Sequence, residues 1–218
     1  DDYPPGLVVH SAPGPLDRAR RRAHWLIGPA WQPMAAAFWG PVPRSPAAES
    51  VGSVLVLAGG TDLRDLGARL ATLADRVFPE SRLHLVRGAG ARGEVPDTGD
   101  VTVHRALPQD RLRDLMLDAD LALSAAGQTL YQLARCGTPT LMIGVADNQA
   151  KHLRGWPETG AMASAGTWDA PDLDQRILNG LQGLKPAHVR ADMSRAGQAI
   201  VDGQGAARLA RFIGRTRP

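Results

Sequence analysis

From residue 53 onward the chain alternates between short, unbroken apolar runs and stretches in which apolar residues return every three or four positions. Ser53-Val54-Leu55-Val56-Leu57-Ala58 is a run of the first kind, as expected of a strand covered on both faces, and it stops at Gly59-Gly60. Leu63, Leu66, Leu70, Leu73, Ala74 and Val77 then recur at helical spacing and line one face. Further strands are predicted at residues 82–86, 101–104, 121–124 and 140–144, each separated by enough chain for a crossover helix. Helices are predicted at about 109–118 and 130–136, the second stopped by Gly137 and Pro139, with tail helices at about 172–181, 187–201 and 205–214. Right-handed crossovers make the sheet mainly parallel. The expected fold class is therefore α/β, a Rossmann-like, doubly wound, mainly parallel sheet with a helical C-terminal tail.

The first 50 residues have a different texture. Pro4, Pro5, Pro13, Pro15, Pro29, Pro33, Pro41, Pro43 and Pro46 fall here, with Trp25, Trp31 and Trp39. Proline fixes its φ and lacks an amide donor, so strand ends and connections are expected, with a helix-compatible stretch around residues 35–39. Residues 2–10 read as a turn entering a short strand. Residues 1–50 are read as the end of a preceding domain plus a linker, and 51–218 as the domain proper. The absence of an initial methionine adds the expectation that the chain is a piece of a longer protein.

Composition narrows the class. With 218 residues, a net charge of +3, 44% hydrophobic and 22% charged residues, collagen-like, coiled-coil and disordered readings are excluded. Basic residues are spread along the chain and aromatics make up 5%, so neither a basic stripe nor a stacking platform for nucleic acid is visible. The excess of arginine over lysine, 23 to 2, reads as genomic base composition. A single cysteine, Cys136, excludes an internal disulfide and reads as a packing residue; without an apolar leader or span, a cytoplasmic setting is expected. His10, His24, His84, His104, His152 and His188 lack metal-ligand spacing, so no metal and no cofactor are expected. There is no nucleophile elbow or Walker lysine. Gly88-Ala89-Gly90, leading to Arg92 and Pro96, reads as a surface loop.

In parallel open sheets ligands bind beyond the carboxyl ends of the strands, and four loops there carry candidate chemistry. Gly59-Gly60-Thr61-Asp62 either lets backbone amides approach an anion or is a tight turn with Thr61 or Asp62 capping the next helix. Ser124-Ala125-Ala126-Gly127-Gln128-Thr129 places small residues between a strand and a helix start, where free amides and the helix dipole meet phosphate. Asp147-Asn148-Gln149 offers three hydrogen-bonding side chains, or a turn capped by Asp147 or Asn148. Leu107-Pro108-Gln109 can hold a flat base, or is a solvated connection.

The order of these elements resembles the C-terminal, nucleotide-sugar-binding half of glycosyltransferase-B (GT-B) proteins. More closely, it resembles the UDP-sugar hydrolases of pseudaminic-acid biosynthesis and their spore-coat-polysaccharide relatives. The matching segments are Asp1-Asp2 with residues 7–10, Trp25-Leu26-Ile27-Gly28-Pro29, Gly59-Gly60-Thr61-Asp62, Ala125-Ala126-Gly127-Gln128-Thr129 and Val145-Ala146-Asp147-Asn148-Gln149. The resemblance implies that Gly60, Thr61, Gly127, Gln128 and Thr129 hold a diphosphate, that residues 107–109 read uracil through the main chain, and that Asp147, Asn148 and Gln149 approach the sugar. Where the family carries an acidic residue for the ribose hydroxyls, this chain has Gln132, a departure. The implied partner is UDP or a UDP-sugar, and the implied reaction is release of UDP from a diacetamido-trideoxy sugar by water. The general base of that reaction belongs to an N-terminal domain absent here, so no catalytic residue is assigned. A UDP-sugar glycosyltransferase and a noncatalytic UDP-sugar-binding module are the alternatives.

Overall fold

The structure is a computed structural model that describes residues 6–14, 23–60, 62, 64–88, 90–91 and 100–215. Its core is a six-stranded sheet of β3 (Ser53–Leu57), β4 (Arg82–Arg87), β5 (Val101–Arg105), β6 (Leu121–Ala125), β7 (Thr140–Gly144) and β8 (Met162–Thr167). All neighbours pair in parallel in the order β5-β4-β3-β6-β7-β8. The chain winds outward from β3 in one direction and then from β6 in the other, so the order reverses between these two strands.

Alternation along each strand builds two apolar layers. Val54 and Val56 face α1 (Leu66–Val77) and α5 (Leu173–Gly183), through Leu70, Leu73, Ile177 and Leu181. Leu55 and Leu57 face the opposite layer, where α2 (Gln109–Asp118), α3 (Thr129–Cys136) and α4 (Ala150–Glu158) contribute Met116, Leu130, Tyr131, Leu133 and Trp156. The helices α6 (Ala187–Ile200) and α7 (Gly205–Arg215) complete the tail, α6 packing on α3. Ahead of this unit, β1 (Gly6–His10) pairs in parallel with β2 (Ala23–Ile27) in a separate two-stranded sheet.

The predicted strands, the parallel sheet and the tail helices are present. Three departures have physical causes. First, α1 begins at Leu66 and not near residue 63, because Asp62 (φ 40°) and Asp65 (φ 54°) adopt left-handed backbone conformations and hold the chain in a turn; Leu63 itself lies outside the described residues. Second, the strand β8 reads Met-Ala-Ser-Ala-Gly-Thr, residues that pack little on a sheet face and give no strand signal. Third, between β4 and β5 no crossover helix is found among the described residues, and residues 89 and 92–99 of the anticipated surface loop lie outside them.

Candidate functional site

The reversal of strand order leaves a crevice beyond the carboxyl ends of β3 and β6, and a cavity of about 800 Å³ lies there. That is the size of a small-molecule site. Its floor and walls are Leu57, Ala58, Gly59, Gly60, Asp62, Arg64 and Leu66 after β3, Ala125, Gly127, Gln128 and Thr129 after β6, and residues 145–149 after β7, with Trp168 and Asp169 after β8. Three of the four predicted loops thus converge on one cavity. Thr61 lies outside the described residues.

On the first loop, Gly59 has φ 91°, a conformation that favours glycine. Asp62, buried at 8% exposure, turns its carboxylate onto the amides of Leu66 and Gly67, at 2.9 and 3.1 Å. Its side chain is therefore occupied as the helix cap, and what the loop presents to a ligand is Gly59–Gly60. Gly88 is part of this architecture and not a plain surface turn, because a Cβ there would stand 1.7 Å from the Gly60 carbonyl oxygen.

On the second loop, no side chain caps α3. In its first turn the Leu130 and Tyr131 amides donate back to the Gly127 and Gln128 carbonyls at 3.3 and 3.2 Å, and the amides ahead of them carry the positive end of the helix dipole. The Gly127 amide is turned onto the Ala125 carbonyl at 2.8 Å, which leaves the Gln128 and Thr129 amides without a backbone partner among the described residues. Ala126 is buried and does not line the cavity; His152 Nδ1 lies 2.7 Å from its carbonyl and donates to it. His152 Nε2 in turn lies 3.1 Å from the Tyr131 hydroxyl, whose ionisation burial pushes up to about 12. Tyr131 is also bonded to Ser11, and Ser11 donates to Gln32 Oε1 at 2.6 Å. A chain of side chains thus links the N-terminal segment to the peptide that opens the phosphate loop.

On the third loop, neither Asp147 nor Asn148 caps α4, whose cap position is Gln149 without a side-chain bond. Gln149 instead accepts the Val145 amide at 2.8 Å through Oε1, which keeps its Nε2 beside Gly127, 3.9 Å from where a Cβ would stand. Asp147 and Asn148 stay exposed at the cavity mouth.

Leu107, Pro108, Gln109 and Gln132 do not line this cavity. They form an adjoining ledge, tied by a 2.9 Å bond from Gln132 Nε2 to Gln109 Oε1. Ala106 before them has φ 50°, an uncommon conformation for a residue with a side chain. The donor groups of Gln132 face Gln109, and its carbonyl oxygen is the atom left to accept a hydroxyl.

Two cavity residues carried no sequence signal. Arg64 and Trp168 are 104 positions apart, yet the guanidinium stacks 3.7 Å above the indole centroid. Arg64 is also the one cationic residue among the described lining residues. Among the described residues no cluster of three or more metal-ligating side chains is present, and no helix is long and apolar enough to cross a membrane.

The fold is that of the Rossmann-like domains of GT-B glycosyltransferases. The chain superposes on MurG of Acinetobacter baumannii with a TM-score of 0.65 at 13% identity, over 96% of this chain and 60% of that one. It superposes on the glycosyltransferase of kitacinnamycin with a TM-score of 0.59 at 20% identity, over 89% and 50%. For the spinosyn rhamnosyltransferase SpnG complexed with thymidine diphosphate, the TM-score is 0.55 at 17% identity, over 79% and 48%. In sequence the chain is similar to the spore coat polysaccharide biosynthesis protein SpsG of Bacillus subtilis, 22% identical over 173 residues. It covers 49% of that relative, so it spans about half the length of the curated protein it matches. No protein-family model matches. The kitacinnamycin protein and SpnG are named as glycosyltransferases, and neither is named as a hydrolase, so these likenesses lend the water-attack expectation no support.

Proposed function

We propose that this chain is the donor-binding half of a GT-B glycosyltransferase that uses a nucleoside-diphosphate sugar, with UDP as the nucleotide. The observation that supports this reading is the cavity at the reversal of strand order, into which the uncapped start of α3 and the Gly59–Gly60 backbone both open. In this reading Gln128 and Thr129 amides take one phosphate, the ledge of Leu107, Pro108, Gln109 and Gln132 takes uridine, and Asp147, Asn148 and Gln149 meet the sugar. Gln132 accepts a ribose hydroxyl without the charge assistance of a carboxylate.

Transfer needs the departing diphosphate to be stabilised as the glycosidic bond breaks. Amides and a helix dipole aimed at developing negative charge do this without reorganising. Deprotonating the acceptor needs a base, which the proposal assigns to a second domain or subunit facing the cavity, with residues 51–218 forming the donor domain. SpnG, named with thymidine diphosphate, is a neighbour whose ligand is of the class proposed here.

Calorimetric titration with UDP, dTDP, ADP and UMP tests the reading. Binding of UDP ahead of ADP and UMP is expected, and no binding of any diphosphate would remove it. Product analysis of the complete protein separates the two chemistries, because transfer leaves the sugar on an acceptor and hydrolysis leaves it free.

A further inference from the structure

We infer that Arg64, held flat on Trp168, is the cation that recognises the second phosphate of the donor, and that it sets the preference for nucleoside diphosphates over monophosphates. The inference rests on the donor-binding reading and adds a residue to it from outside the glycine loops.

The loop around Arg64 is built to aim it. Asp65 donates its amide to the Asp62 carbonyl at 2.9 Å, closing a turn over residues 62–65. Both ends of that turn hold left-handed conformations, φ 40° at Asp62 and 54° at Asp65. Each end is also pinned: Asp62 by its two bonds to the start of α1, and Asp65 by the buried Arg87, whose Nη2 lies 3.6 Å from Asp65 Oδ1. Backbone conformations of this kind persist only where the surroundings enforce them.

The indole supplies the second constraint. Trp168 packs against the apolar layer under α1 and α5, and its amide donates to the Gly144 carbonyl at 2.8 Å, so the ring is a fixed platform. Stacking fixes the plane of a guanidinium without consuming its N–H donors. Arg64 forms no ion pair and no hydrogen bond among the described residues, although Asp62, Asp147 and Asp169 line the same cavity. A guanidinium stacked on a ring in the cavity wall, with its N–H groups unused by the described residues, offers the fork that matches two phosphate oxygens.

Charge gives the same answer. The cavity lining carries three carboxylates and one guanidinium among its described residues. A diphosphate entering against those carboxylates gains, among the described lining residues, its side-chain counter-charge at Arg64. With one phosphate on the Gln128 and Thr129 amides, the other falls to the wall of Gly59, Gly60 and Arg64.

The test is calorimetric titration of UDP and UMP into the 218-residue chain and its Arg64→Ala, Arg64→Lys, Trp168→Phe and Trp168→Leu variants, with the melting temperature of each as a folding control. Arg64→Ala is expected to weaken UDP by about tenfold or more and UMP by much less, narrowing the ratio between them. Arg64→Lys keeps the charge without the fork and falls between. Trp168→Phe keeps a ring to stack on and stays near the parent, whereas Trp168→Leu moves toward Arg64→Ala. UDP affinity unchanged in Arg64→Ala, or equal losses for UDP and UMP, would overturn the inference while leaving the donor site standing. A parent chain that binds no diphosphate would overturn the donor reading and the inference with it.

Discussion

Gly127→Leu separates binding from folding. The nearest atom to a Cβ at Gly127 is Gln149 Nε2 at 3.9 Å, and its φ lies outside the left-handed region. A side chain is thus accommodated without moving backbone, and folding stability should change by no more than about 0.5 kcal/mol, as at an open surface position. In a domain of this size that is a melting shift of about 1–2 °C. The leucine nevertheless stands between α3 and residues 145–149, where the proposed donor site takes a phosphate. Two charge-assisted hydrogen bonds from the Gln128 and Thr129 amides, each worth about 1.5–3 kcal/mol, are then lost. At the low end that is about 3 kcal/mol, more than a hundredfold in Kd. Titration with UDP beside a thermal melt reads both quantities. Gly88→Ala is the contrasting control, since its Cβ would stand 1.7 Å from the Gly60 oxygen and must displace the first loop itself. UDP affinity within threefold of the parent in Gly127→Leu would refute the phosphate-loop reasoning, and a collapsed melt would refute the steric reasoning.

Three further outcomes follow from the same geometry. Asp62→Ala removes the carboxylate that holds the Leu66 and Gly67 amides, and should cost about 1–2 kcal/mol in urea or thermal unfolding; an unchanged midpoint would show that the cap contributes nothing. His84 Nδ1 and His104 Nε2 lie 3.1 Å apart between β4 and β5, and burial holds both below the ordinary value of 6.5, with His104 also lowering His84. The folded state therefore binds fewer protons than the unfolded one, so stability is full above pH 6.5 and falls as the pH drops below it. Melts between pH 7.5 and about 5 should show this decline, and His104→Asn should flatten it. Cys136 is fully buried, and its thiol is pushed up to about 12, so it should resist a thiol reagent at about pH 8 until the chain is unfolded; stoichiometric labelling of the native chain would contradict that burial.

The parts of this molecule legible in its sequence are those governed by local rules. Strands buried on both faces are largely apolar, so Ser53–Leu57 and Thr140–Gly144 announced themselves, and glycines after β3 and β6 marked loops that line the cavity. The strand β8 did not, because alanine, serine and glycine are allowed there only by the tight packing of α4 and α5 around it. Whether Asp147 and Asn148 were caps or free groups was likewise undecidable from spacing, since that depends on Gln149 reaching back to the Val145 amide. Arg64 over Trp168 was invisible for a stronger reason: the two residues sit at opposite ends of the winding and meet only when β8 joins the far side of the sheet.

The arginine excess shows the same limit from the other side. A proline-rich segment cannot satisfy its carbonyls in a ladder, and buried carbonyls without partners are costly. Between residues 30 and 49 those carbonyls are met by arginines from the helices: Arg208 to Ala30, Arg113 to Ala37, Arg135 to Phe38 and Gly40, and Arg190 to Ala48 and Glu49. Arg44 returns the arrangement, donating to the carbonyls of Met116, Leu117 and Ala119 at the end of α2. Arginine serves here where lysine would not, because its planar fork reaches two carbonyls in fixed directions. The arginine excess, read from the sequence as base composition, thus has a structural use at these positions. The same clamps fix the path of the segment that leads from β2 to β3. Together with the Ser11, Tyr131 and His152 chain, they tie the segment from β1 to β3 to the helices and to the loop after β6.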